Sequence, residues 1–449
     1  MSRHIAPDVP LVAIYNNLEV AFDFLNRSHD DEVVRRRYSR GDRALLWLGD
    51  PKLAFVTMPV PHADYARERL GYANTEVVAP LAPTAALSHD ILNEPRLLER
   101  LIQYAGPART VQLVPYATTR EFLHLADTLR RDHGLNVLLP ESPSPDCLWV
   151  RDYADTKADF RTLAERWLSH TPELLPEGVV CRTFEQAVEV AHWFGQRGKA
   201  CVVKADSGES GLGHTLLWPD ECDAMECVLE RLRANEFLQG DLILVEEYIR
   251  SSAQMSPSLE FFVPPLGRGR PQITYLSNQL FDQGFGRFSG VMLSREFTET
   301  PWYPILAASG QVIAEQLQML GYVGHFDLDA VVDDDERIYL LEINTRRTGG
   351  THVYEFARFA LGPAYLGQAA LISHNSLPCG AIDSLDGLLA GIGDRLYPIG
   401  SEKRGVVVTV SSTLPTHEFG CIVVGPTAAA ATALEQELRT RMETAGKQS

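Results

Sequence analysis

The stretch "FDLDAVVDDDERIYLLEINTRRTGGTH", Phe326 to His352, restricts the possible folds more than any other part of the chain. Its two arms alternate apolar and polar residues, the period of paired strands rather than of a helix. Setting Asp333 opposite Ile338 around "DDER" gives a four-residue hairpin loop. Phe326, Leu328, Ala330, Val332, Tyr339, Leu341 and Ile343 then share one face. Asp327, Asp329, Val331, Leu340, Glu342 and Asn344 share the other. A slip of one residue would mix the two sets, so the pattern itself selects the register.

That register opposes Asp329 to Glu342 and Asp327 to Asn344. Directly opposed side chains have Cβ atoms about 4.5–5.5 Å apart, and like charges there destabilise the pair. A cation between them removes the conflict. Oxygen ligands without His or Cys suit a hard ion, Mg²⁺ or Mn²⁺. Solvated acids on an open face would give the same letters. The amide of Asn344 on the same face, followed by "TRRTGGT", favours Asp329, Glu342 and Asn344 as metal ligands. Asp333, Asp334 and Asp335 read as a solvated turn.

A metal that holds phosphates needs cations nearby. Lys204 ends the apolar strand of "ACVVKADSGESGLGH", and a buried strand lysine requires an anion. Ser207, Gly208, Gly211 and Gly213 follow in a loop whose backbone N–H groups could close over phosphate oxygens. No Gly-Lys-Ser/Thr follows, which excludes a P-loop. Arg346 and Arg347, just past the ligand strand, could hold phosphate or carboxylate by paired contacts, or form a surface basic pair. "LILVEEYI" is an apolar strand ending in Glu246 and Glu247. It reads as a strand running into solvent or, in a nucleotide site, as the hinge beside adenine with Ile249 offering its backbone.

The 449 residues exceed one ordinary core, and two or three domains are expected. Residues 1–150 alternate strand and helix. "PLVAIYNN" and "RALLWLGD" each read as strand then stop, and residues 110–141 as strand, helix, strand closed by Gly134. This is an open α/β domain ending at "PESPSP". Residues 151–375 hold the strands and helices around the motifs above. Residues 376–449 read as a small C-terminal α/β subdomain with strands at "GVVVTVSS" and "GCIVVG" and an alanine-rich helix. The net charge of −18 argues against a nucleic-acid partner. The seven cysteines form no CxxC pair and read as reduced, mostly buried thiols of a cytoplasmic protein. Neither a signal peptide nor a bilayer-spanning run is evident.

In order and spacing, Lys157, "VVKADSGESGLGH", "VEEYI", "DLD" and "LEINTRR" resemble the nucleotide-binding elements of the ATP-grasp ligases. The resemblance covers roughly residues 150–375, and Glu-x-Asn-x-Arg at 342–346 is its most specific part. The added first domain and tail make the chain more similar to the pheganomycin-type peptide ligases, which begin with a pre-ATP-grasp domain. The resemblance implies that Lys157 and Lys204 bind ATP phosphates under the 207–213 loop. Glu246, Glu247 and Ile249 would hold adenine, and Asp329, Glu342 and Asn344 would hold Mg²⁺ or Mn²⁺. Arg346 would stabilise the transferred phosphoryl group. The ribose-binding acid has no clear counterpart; Ser256 and Glu260 are the candidates. Many relatives carry a basic residue where Asp327 stands, which leaves Arg287 or Arg347 to assist at the tetrahedral intermediate.

The implied activity joins a carboxylate to an amine through an acyl phosphate, releasing ADP and phosphate. Small-molecule or peptide substrates are expected, with peptide ligation in antibiotic biosynthesis as the closer resemblance. A homodimer is compatible with the sequence, and a membrane partner is not expected. Two other functions share these letters: phosphoryl transfer without ligation, and a nucleotide-binding regulatory protein without turnover.

Overall fold

In the computed structural model, residues 4–20, 38–207, 213–222, 224–238, 242–282 and 287–445 are described. Five parallel strands, β1 (Leu11–Ile14), β2 (Lys52–Phe55), β3 (Thr75–Val78), β4 (Thr110–Pro115) and β5 (Asn136–Leu138), form the first sheet. Their order is β3-β2-β1-β4-β5, so the strand order reverses between β1 and β4. In an open parallel sheet that reversal leaves a crevice beyond the strand ends, where ligands bind. Tyr15, Asn16 and Asn17 leave β1 there, and Tyr116 leaves β4. The Asn16 amide bridges the gap: its oxygen accepts from Tyr116 N (3.0 Å) and its nitrogen donates to Ala117 O (2.9 Å).

The expected strand–helix–strand over 110–141 forms, with Thr119 capping the helix Arg120–Arg131 through its side chain. Gly134 turns the chain at φ +59°. "RALLWLGD" is a correction. Arg40–Leu46 is a 3-10 helix, and the strand that enters the sheet is the next segment, Lys52–Phe55. A short apolar run does not reveal its own conformation. Here Leu45, Leu46 and Trp47 are buried against the sheet instead of within it.

A four-stranded antiparallel sheet follows, made of β6 (Gly178–Cys181), β7 (Cys201–Ala205), β8 (His214–Leu217) and β9 (Ile243–Glu247) in the order β6-β9-β7-β8. The helix Phe184–Gln196 covers it, burying Ala187, Val188, Ala191 and Phe194. The third sheet has eight strands. They are β10 (Pro257–Val263), β11 (Gln272–Phe281), β12 (Phe288–Leu293), β13 (Gly324–Val332), β14 (Ile338–Asn344), β15 (Ala370–Pro378), β16 (Gly405–Val410) and β17 (Glu418–Gly425). The order β14-β13-β10-β11-β12-β15-β17-β16 makes the strands of 376–449 part of this sheet. One core runs from Tyr15, Trp47 and Tyr72 through Phe356 to Val407 and Ile422, so the first and last parts of the chain are packed together.

β13 and β14 form the expected hairpin, with Asp329 opposite Glu342 and Asp327 opposite Asn344. The register differs at the tip. A β-bulge beside Asp329 shifts the pairing, so that Val332, not Asp333, faces Ile338. An unpaired residue in one strand reverses the faces beyond it. Leu340 therefore enters the core with Ala330 and Val332, while Leu341 joins Val331 on the open side. Of the described cysteines, Cys181, Cys201, Cys379 and Cys421 are buried, Cys147 is half-buried and Cys227 is exposed; none of these six is in a disulfide. Among the described residues no helix is long and apolar enough to cross a membrane.

Candidate functional site

All three sheets contribute to one cavity of about 540 Å³, a size suited to a small-molecule ligand. β7, β8 and β9 supply one end, the β10–β13–β14 face the floor, and the loops after β1 and β4 the far wall. Lys204, Glu246, Glu247, Ile249, Asp329, Glu342, Asn344 and Arg346 all line it, as does Ser256.

At the first end, the Lys204 ammonium lies 2.7 Å from Glu246 Oε2. Arg161 takes the other carboxylate oxygen at 3.1 Å. Glu246 is thus a buried clamp between two cations. Glu247 is held by Lys199 at 2.8 Å. Ligand contacts at this end would accordingly come from the backbone at 247–249 and from apolar surface. Val202, Leu216, Trp218, Met255, Val331 and Leu341 provide that surface. The Trp218 ring meets Tyr248 edge-on at 5.6 Å.

Lys157 reaches the site from the start of the helix Lys157–Trp167. Thr156 caps that helix, and Lys157 N donates to Asp206 O just past β7. Its Nζ lies 3.0 Å from Glu342 Oε2. Burial alone would raise the Glu342 pKa, but the charges of Lys157 and Lys204 bring it down to about 2. Glu342 is a carboxylate at any working pH. Asp329 is pushed up to about 7 by burial and by the charge of Glu342. Asp327 is pushed further up, by burial and then by Asp329. Asn344 Nδ2 donates to Asp329 Oδ2 at 3.1 Å, and Ser258 Oγ to Asp327 Oδ2 at 3.2 Å. The other oxygen of each aspartate is buried without a hydrogen-bond partner. Buried oxygens left over beside a fixed carboxylate are an arrangement that a divalent cation completes. The donor set, oxygens only, fits Mg²⁺ or Mn²⁺.

Arg346 donates to Asn344 Oδ1 (2.6 Å) and to Asp155 Oδ1 (3.2 Å), which fixes its guanidinium at the cavity edge. Arg347 is elsewhere. It is 1% exposed, outside the cavity, and bound to Glu141 and Glu355. Glu260 is likewise absent from the lining: Tyr275, His325 and Thr351 surround its buried carboxylate. Arg287 and Ser207 are exposed and do not border the cavity, nor does Gly213, whose φ is +85°. Gly208 and Gly211 lie outside the described residues.

Several lining residues escaped the sequence reading. His214 pairs with Lys204 across β7 and β8. Burial and the two lysines lower its pKa to about 3, so it is neutral. "GLGH" contained it, but nothing distinguished it from a loop residue. Tyr116, Arg40 and Arg43 reach the cavity through tertiary packing that no local pattern announces.

No family model matches the chain, and no curated protein matches it in sequence. Solved structures of ATP-grasp ligases do match in fold. Biotin carboxylase from Campylobacter jejuni, in a β,γ-ATP complex, is 13% identical with a TM-score of 0.55, covering 97% of this chain and 95% of that one. N5-carboxyaminoimidazole synthetase from Staphylococcus aureus with ADP is 9% identical with a TM-score of 0.52, covering 98% and 99%. The biotin carboxylase domain of Hydrogenobacter thermophilus 2-oxoglutarate carboxylase, a dimer with MgADP, is 17% identical with a TM-score of 0.51, covering 97% and 90%. The chain therefore has the ATP-grasp fold, entered through an open N-terminal α/β domain.

Proposed function

We propose that this chain is an ATP-dependent carboxylate–amine ligase using Mg²⁺ or Mn²⁺. The observation that carries the reading is the opposed pair Asp329 and Glu342, with the unpartnered Asp329 oxygen, in the same cavity as Lys204. The three similar structures, which are complexes with ADP, with MgADP and with β,γ-ATP, support the nucleotide. The adenine base would lie along residues 247–249 against Trp218 and Leu216, with Ser256 beside the ribose. Lys204 and Lys157 would face the phosphates.

Asp329, Glu342 and Asn344 would hold the metal, which when bound neutralises charge on the phosphate oxygens. The substrate carboxylate attacks the γ-phosphoryl group, ADP leaves, and an acyl phosphate forms. Arg346, fixed by Asp155 and Asn344, would stabilise charge on the transferred group. The amine then attacks the acyl carbon and expels phosphate. Walls from three sheets would limit the access of water to that intermediate.

Peptide-bond formation in antibiotic biosynthesis, in the cytoplasm, is the finer form of this proposal. It rests on the resemblance of the domain arrangement to the pheganomycin-type ligases. An ADP-release screen of amino acids and short peptides in pairs, read by product mass, tests both levels. A condensed peptide is the expected product. Hydroxylamine should divert the reaction to a hydroxamate; ADP release with a phosphorylated product and no hydroxamate would replace ligation with simple phosphoryl transfer.

A further inference from the structure

Arg43 is a buried guanidinium in the far wall of the cavity, only 4% exposed. It lies on the 3-10 helix Arg40–Leu46, and Nη2 donates to the amide oxygen of Asn375 on β15. Its Nε is buried with no partner, as is Asn375 Nδ2. No carboxylate among the described residues pairs with Arg43. The adjacent Asp42 feels the Arg43 charge but makes its hydrogen bonds elsewhere, accepting from Ser411 N (2.7 Å), Ser412 N (3.0 Å) and Ser412 Oγ (3.0 Å). His352 is close enough to feel Arg43; burial and that charge hold its pKa well below the ordinary value, so it carries no charge. A desolvated cation beside a neutral amide is unfavourable unless an anion arrives with a ligand.

The same cavity contains Asp329 and Glu342, and the turn Thr348–Gly350 borders it between the ligand strand and the helix that bears His352. Arg43 belongs to the N-terminal domain wall, whereas the metal ligands and Lys204 belong to the other two sheets. A carboxylate gripped by a buried guanidinium is a poor nucleophile, so the group held here does not react. We propose that Arg43 anchors the non-reacting carboxylate of the amine substrate, which makes that substrate an amino acid or peptide with a free carboxyl terminus. The inference rests on the ligase reading and names the substrate class for it. A single guanidinium whose one hydrogen-bond partner among the described residues is a neutral amide matches the single charge of a carboxylate better than a phosphate dianion.

Calorimetric titration of the full chain with MgADP present tests this. The probes are the proteinogenic amino acids, glycylglycine and alanylalanine, their carboxamides, and O-phosphoethanolamine. At least one free acid should bind, with its carboxamide about tenfold or more weaker. Arg43→Gln should lose that acid to the same degree while keeping MgADP affinity and melting temperature. Arg43→Lys, which keeps the charge without the planar fork, should fall between. If Arg43→Gln does not fold, Arg43→Lys decides, together with protection of Arg43 from phenylglyoxal by the bound acid, read by peptide mass. Equal binding of acid and carboxamide, unchanged binding by the variants, no protection, binding of O-phosphoethanolamine alone, or no acid bound at all overturns the proposal. Failure of the unaltered chain to bind MgADP instead strikes the ligase reading.

Discussion

Arg347 grips Glu141 through both carboxylate oxygens, at 2.8 and 2.7 Å, with each side chain almost fully buried. The contact joins the turn after β14 to the segment just past β5. Burial alone would raise Glu141, but Arg347 holds it well below the ordinary carboxylate range. Arg347 also lies over the Trp47 ring at 5.0 Å. Its neighbour Arg346 points into the cavity instead. Two adjacent arginines thus divide the work, one joining parts of the chain far apart in sequence and one lining the cavity.

Removing one member of a buried ion pair leaves the other charge uncompensated, at about 3–5 kcal/mol. Glu141→Gln and Arg347→Met should each lower the unfolding free energy by that order in denaturant titrations. The double variant should recover part of the loss, because neither member of the pair is left buried opposite a missing partner. Additive losses in the double-mutant cycle would show that the pair does not hold the domains.

Glu342→Ala should abolish ADP formation while leaving the chain folded. Glu342 is half-buried at the end of the hairpin, outside the apolar cluster that stabilises β13 and β14. Its loss leaves Lys157 without its 3.0 Å partner and Asp329 without the opposing charge. The Asp329 pKa should fall from about 7 toward the ordinary range, since Glu342 is one of the two causes of its rise. Turnover undiminished in an ADP-release assay would remove Glu342 from the site.

Much of this was legible locally. The hairpin's alternation fixed Asp329 opposite Glu342, because only one register keeps Phe326, Leu328 and Ile343 on the buried face. The bulge was not legible: alternation cannot say which arm carries an unpaired residue, and Leu340 and Leu341 are equally apolar. The same limit applies to "RALLWLGD", where an apolar run showed that it is buried but not how. Arg347 and Glu260 were misassigned for a different reason. Their partners, Glu141 and His325, lie 206 and 65 residues away, so nothing nearby marked these charges as already satisfied. Arg43 and Asn375, 332 residues apart, meet only once β15 joins the eight-stranded sheet.

Lys204→Met should weaken nucleotide binding more than folding. Glu246 would keep Arg161 at 3.1 Å, so its carboxylate stays paired. Hydrogen bonds to charged groups contribute about 1.5–3 kcal/mol, so KM for ATP should rise by roughly ten- to a hundredfold. Lys204→Arg should restore little, because the longer fork cannot enter the buried slot between Glu246 and His214 without displacing one of them. An unchanged KM for ATP in Lys204→Met would mean that Lys204 serves only to neutralise Glu246.

His325 makes stability depend on pH at the same domain junction. Its Nδ1 lies 3.0 Å from Glu260 and its Nε2 3.6 Å from Glu141. His4 also touches Glu141, at 2.8 Å, and Arg347 adds an opposing positive charge. The three groups His4, Glu141 and His325 come together as metal ligands do, yet the Arg347 guanidinium on Glu141 makes this an ion-pair network. Burial alone would lower the His325 pKa, but the two glutamates, chiefly Glu141, raise it to about 9. A histidine raised above its unfolded value, near 6.5, stabilises the fold fully below that value and loses the contribution as pH climbs through 9. Unfolding free energy should therefore fall between pH 6.5 and 9, by an amount on the order of a few kcal/mol. His325→Gln, which keeps a donor but does not titrate, should flatten that slope. Denaturant titrations of both proteins across the interval give the comparison, and parallel curves would mean that His325 is neutral in the folded chain.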